Sequence, residues 1–125
     1  MSEEDPVVMG LYVPPHPHPL LCPEKNEGWN SIRKAYEEAR EKIEEFDADL
    51  IIVYSTLWPS VVGHQIQAEP EPEWTHVDDD FHFLGSMPYK FKTDTDYSNA
   101  YKEACENRGL TARTVAYHGF PIDTG

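Results

Sequence analysis

A chain of 125 residues is the length of one domain, and its 39% apolar and 12% aromatic content is that of a globular protein rather than a disordered one. The formal net charge of -13, from 23 acidic and 10 basic residues, repels phosphate backbones and anionic headgroups, which argues against nucleic acids and membrane surfaces as partners. No stretch approaches the ~20 apolar residues of a membrane span, and Met1-Ser2-Glu3-Glu4-Asp5 is acidic where a secretory leader would be basic, so a cytoplasmic location is expected, with Cys22 and Cys105 as free thiols.

Val7, Val8, Met9, Leu11 and Val13 make residues 6–13 a short apolar run that suits a strand buried on both faces. Pro14-Pro15 cannot continue a ladder, so residues 14–23 form a loop leaving a strand end. An amphipathic helix follows. Trp29, Ile32, Ala35, Tyr36, Ala39, Ile43 and Phe46 share one stripe, charged residues fill the other face, and Asn26 or Asn30 can supply the N-cap. Asp49 leads into Leu50-Ile51-Ile52-Val53-Tyr54, a second apolar run and a second expected strand. Strand, helix and strand in this order predict a βαβ unit with parallel strands. Their ends would then bring the His16/His18 loop beside the segment 55–64, at the sheet edge where open α/β sheets bind ligands.

Residues 61–68 suit a further strand, and Glu69-Pro70-Glu71-Pro72-Glu73 is a stiff charged excursion. It precedes a stretch, 74–83, rich in aromatics and carboxylates. A second helix is predicted over residues 95–108, with Asp94 as its cap and Gly109 in the position of a C′ glycine. Residues 111–117 read as another strand, with no covering helix after it, so the chain is expected to be shorter than the domain to which it belongs. The predicted class is α/β: a single domain over residues 1–125 with a central, mostly parallel or mixed sheet and flanking helices.

Chemistry-bearing residues are few. His16-Pro17-His18 sets two imidazoles at the end of an expected strand, a pattern compatible with a metal site or with a turn carrying exposed histidines. If that segment is extended, neighbours two apart point in opposite directions. His64 can approach the same edge or serve as a structural histidine, and the role of His118 is open. His76, Asp78, Asp79, Asp80 and His82 form a local cluster that reads first as a solvated loop and second as a hard-cation site. No Gly-rich phosphate loop and no Gly-x-Ser-x-Gly elbow occurs.

Taken in order, Gly10-Leu11-Tyr12-Val13-Pro14-Pro15-His16-Pro17-His18-Pro19-Leu20-Leu21, Gly28-Trp29, Tyr36-Glu37-Glu38-Ala39-Arg40 and residues 49–58 resemble the class III extradiol ring-cleavage dioxygenases, the protocatechuate 4,5-dioxygenase β-subunit superfamily. Thr75-His76-Val77-Asp78, Tyr89, Asp94-Thr95 and residues 119–125 look most like the α subunit of the 2-aminophenol 1,6-dioxygenase group. The resemblance implies ferrous iron held by two histidines and a glutamate, with open positions for dioxygen and for a catechol- or aminophenol-type aromatic. Aligned on Gly10, the first ligand position falls on Pro15, one residue before His16, and the second falls on Leu57, before Trp58. The carboxylate ligand would lie beyond Gly125.

The resemblance therefore implies a supporting subunit that packs against a related catalytic subunit or forms a homo-oligomer. It leaves open whether the chain is itself an enzyme. The alternatives are an altered iron site built from His16, His18 and His64, and a small-aromatic binding module walled by Trp58, Trp74, Phe81 and Tyr89.

Overall fold

Helix-forming signals in this sequence are strong and local, and in a computed structural model they produce its longest elements. Residues 5–58, 60 and 62–117 are described; His118, residues 119–125 and Val61 lie outside this range. The chain divides into two compact units, Met1–Val53 and Tyr54–Gly125. Together they are α/β in class, with one parallel and one antiparallel two-stranded sheet beside the helices.

In the first unit, a one-turn helix α1 (His18–Leu21) and a 3-10 turn (Pro23–Lys25) precede the long helix α2 (Glu27–Phe46) and pack on it. Asn26 caps α2, its side chain accepting from the Gly28 N–H at 2.7 Å. Asp47 ends it in the left-handed region (φ 48°), which Asp tolerates better than most side chains because it is short and polar. Among the described residues of this unit, Pro17, Pro19 and Cys22 are buried. They sit where α1 turns back on α2, and the Tyr36 hydroxyl donates to the Pro14 carbonyl at 3.4 Å on the same side. Arg33–Glu37 and Arg40–Glu44 are exposed i,i+4 ion pairs on α2, each worth about 0.3–0.5 kcal/mol.

Both apolar runs depart from expectation. Residues 6–13 and 50–54 belong to no sheet, and Val7, Val8, Leu11, Val13, Ile51, Ile52 and Val53 are exposed. Among the described residues the βαβ unit predicted around α2 is therefore not formed. The physical reason is pairing. An apolar run becomes a strand only when a neighbour satisfies its backbone N–H and C=O groups. Among the described residues no strand pairs with either run.

The parallel crossover occurs in the second unit instead. Strand β1 (His64–Gln67) and strand β4 (Ala112–Val115) pair in parallel, His64 opposite Ala112 and Gln67 opposite Val115. Helix α3 (Thr95–Asn107) connects them and packs on both, as a parallel connection requires. Ser98, buried on α3, donates to the Gln67 carbonyl at 2.8 Å and ties the helix to the end of β1. Arg113 reaches across the pair to Gln65 at 2.9 Å. Asp94 caps α3 by accepting from the Tyr97 N–H at 2.9 Å. The helix ends in a Schellman arrangement. The Leu110 N–H bonds the Cys105 carbonyl and the Gly109 N–H bonds the Glu106 carbonyl, with Gly109 at φ 78°.

Between β1 and α3 lies an antiparallel hairpin, β2 (Glu73–His76) with β3 (Met87–Lys90). The proline excursion is part of it: Pro72 is fully buried, and the carbonyls of Pro72 and Pro70 accept from the N–H groups of Phe91 and Thr93 at 3.0 and 2.9 Å. The hairpin escaped sequence reading because its strands have four residues each and Pro88 sits inside one of them. Proline is tolerated there because a two-stranded sheet has only edge strands.

Gly63 (φ 65°) opens β1, and a Cβ at this position would land on the backbone carbonyl of Thr111, the same carbonyl that accepts the His64 N–H at 2.8 Å. Gly63→Ala is expected to cost about 1–3 kcal/mol, read as a lower urea midpoint. Gly10→Ala, in open space, is expected to leave the midpoint nearly unchanged.

Candidate functional site

Pro17 adopts helical backbone angles and His18 begins α1, so the His-Pro-His segment turns rather than extends. The opposed orientation expected of an extended segment is thereby replaced. The His16 and His18 rings lie 5.9 Å apart edge to face, and both meet Trp29 of α2. His18 stacks on the indole at 4.8 Å with 18° between the planes, and His16 leans on it at 5.9 Å. Such offset stacking and edge contacts are worth about 0.5–1.5 kcal/mol beyond the area they bury. The fully buried Pro17 and Pro19 alternate with the histidines and anchor them on the helix. Trp29 was legible as part of a helix stripe, but nothing in local spacing marked it as the platform for the two imidazoles.

His64 belongs to the second unit, where it opens β1 as an exposed residue. The structure thus gathers His16 and His18, two of the three predicted ligands, within one unit. Leu57 lies in a bend, half exposed, its N–H donating to the Ser55 hydroxyl at 3.1 Å. Its aliphatic side chain offers no donor atom to a metal. Asp78 of the carboxylate cluster accepts from the N–H groups of Asp80 and Phe81 at 2.9 and 2.8 Å, which makes it a turn residue. Among the described residues, no group of three or more His, Cys, Asp or Glu side chains is placed to hold a metal ion. The described residues therefore do not by themselves assemble the two-histidine, one-carboxylate set that the resemblance implies.

Of the expected aromatic walls, Trp74 and Tyr89 come together as opposite partners in the hairpin and so share one face. With Glu73, Thr75, Pro88 and Lys90 they line an open hollow of about 570 Å³. Phe81 lies against Phe83, and Trp58 lies edge-on to Tyr117 at 6.3 Å. The four aromatics do not form one common wall.

One polar pair in the second unit had no sequence signal, because its members are 47 residues apart: the hydroxyls of Tyr54 and Tyr101 meet at 2.6 Å. The hydrogen bond to Tyr54, followed by burial, pushes the Tyr101 phenol from 10.0 up to about 12.

No family profile matches the chain. It is 34% identical over 119 residues to a protein described as the 2-aminophenol 1,6-dioxygenase α subunit of a Pseudomonas species, across 95% of this chain and 44% of the relative. It is 32% identical over 126 residues to the corresponding β subunit, across 94% of this chain and 41% of the relative. These similarities support the extradiol ring-cleavage dioxygenase family that the ordered motifs resemble. The chain spans less than half the length of these curated relatives.

The Tyr54–Tyr101 bond can be tested by titration. The folded chain holds the Tyr101 phenol neutral, so the pair's contribution to stability is complete below pH 10.0 and is lost as the pH rises from there through about 12. Tyr54→Phe is expected to move one tyrosine ionisation back toward 10.0 in an ultraviolet-monitored titration. An unchanged titration would count against the hydrogen bond as the main cause.

Proposed function

We propose that this chain is a supporting part of an extradiol ring-cleavage dioxygenase system, contributing structure or a pocket wall while a related catalytic subunit holds most of the iron-binding chemistry. The observation that carries this reading is Leu57. Where the family motif has its second iron ligand, directly before Trp58, this chain has an aliphatic side chain in a half-exposed bend. His16 and His18 support it in a second way: their rings are engaged on Trp29. The substrate class that goes with the reading is an aromatic with adjacent hydroxyl or amino groups, such as a catechol or aminophenol. The setting is the cytoplasm, consistent with two free, buried thiols. No helix among the described residues is long and apolar enough to cross a membrane.

Anaerobic titration of the purified chain with ferrous iron, followed by elemental analysis, tests this directly. The expected result is no iron above background and no ring cleavage, for the natural chain and for Leu57→His alike, because among the described residues no group of three or more His, Cys, Asp or Glu side chains is placed to hold a metal ion. Stoichiometric iron that disappears in His16→Ala, His18→Ala or His64→Ala would overturn the reading in favour of a rebuilt iron site. On the supporting reading, His16→Ala and His18→Ala weaken the ring contacts with Trp29 and with each other, about 0.5–1.5 kcal/mol for each contact in a urea titration.

A further inference from the structure

We propose that Tyr54 and Tyr101 form an oxidative modification site, at which a one-electron oxidant, such as a haem peroxidase supplied with hydrogen peroxide, joins the two rings into a dityrosine that staples the start of the second unit to α3. Both residues belong to that unit, and 47 positions separate them. Their hydroxyls meet at 2.6 Å, and their ring centroids lie 6.2 Å apart with 56° between the planes. Two rings laid end to end through their hydroxyls would have centroids farther apart than this, so the rings are inclined toward each other on the hydroxyl side.

Three features suit the pair for coupling. The first is access. Tyr54 is 73% exposed, so an oxidant in solution reaches it, whereas Tyr101 is half-buried on α3. The second is the hydrogen bond. Tyr54 gives an electron to the oxidant and its hydroxyl proton to water, which leaves a neutral phenoxyl radical. The Tyr101 hydroxyl is already in contact with that oxygen and can pass it a hydrogen atom, which moves the radical to Tyr101 and restores Tyr54 for a second oxidation. The third is proximity. The reactive carbons of a phenoxyl radical lie ortho to its oxygen, so contact of the two hydroxyls brings ortho carbons of both rings together and makes coupling a step within one chain. A carbon–carbon bond forms between them, and the two ortho hydrogens shift to the oxygens as the rings regain aromaticity. Each phenol has then lost one electron and one proton, and hydrogen peroxide takes up both pairs to become water. The new bond limits the freedom of the unfolded chain as a disulfide does, and so raises the stability of the second unit. The site consists of the chain's own phenols and does not draw on the supporting role proposed above.

The test is oxidation of the full chain by a haem peroxidase and hydrogen peroxide over a range of protein concentrations, read by mass spectrometry of the intact chain and of its tryptic peptides. The expected product is a single chain lighter by two hydrogens, with the peptides that carry Tyr54 and Tyr101 joined. Its yield per chain is expected to be independent of protein concentration, because the partners are already in contact. Tyr54→Phe and Tyr101→Phe are each expected to lower the yield of intrachain cross-link by at least about tenfold, since the remaining phenols lack a preset partner. Tyr12→Phe, at a fully exposed ring, and Tyr97→Phe, one turn before Tyr101 on α3, are expected to leave it unchanged. The cross-linked chain is expected to unfold at a higher urea midpoint than the untreated one. Cross-links formed only between chains overturn the proposal. So does an intrachain cross-link that survives Tyr54→Phe or Tyr101→Phe, one that is lost in Tyr97→Phe, or a urea midpoint that does not rise.

Discussion

The second unit depends on one close approach: the start of β1 passes so near the Thr111 carbonyl that only a residue without a side chain fits at 63. From that point His64 donates to Thr111, the four-residue register of β1 on β4 follows, and the pair ends where Ala68 donates to Val115 at 2.7 Å. Helix α3 can lie across both strands because its own ends are satisfied locally, by Asp94 at the start and by the Cys105 and Glu106 carbonyls at the finish. Ser98 then locks helix to strand. A parallel pair this short gains little from its own hydrogen bonds, so the helix packed over it supplies much of what keeps the register.

A different device organises the first unit. Prolines, which have no N–H to satisfy, are its most buried side chains, and they press the His16–His18 turn onto the N-terminal half of α2. The result is a pair of imidazoles resting on an indole. That arrangement keeps the motif by which the family is recognised while engaging its histidines in ring contacts. Leu57, in the second unit, presents hydrocarbon and no donor atom.

In an α/β protein apolar runs of this kind form the interior of the sheet, where each strand shields its neighbours. Here Val7, Val8, Leu11, Val13, Ile51, Ile52 and Val53 are instead exposed on a strongly acidic chain.

Sequence alone determined whatever depends on neighbours a few residues away. Asn26 and Asp94 as caps, Gly109 as the helix stop, the stripe of α2, and the positions of β1 and β4 were all legible, because helix periodicity, capping and turn chemistry act within one or two turns of chain. The α/β class and the family followed from the same local motifs in order. Tertiary structure decided the rest: that the parallel crossover runs through α3 and not α2, that residues 70–93 close as a hairpin, that His16 and His18 turn together onto Trp29, and that Tyr54 finds Tyr101 across 47 positions. The reason is that a strand is defined by its partner. An apolar run states that a segment can be buried between neighbours, but which neighbour supplies the hydrogen bonds is a property of distant parts of the chain, or of another chain, and no local pattern encodes it.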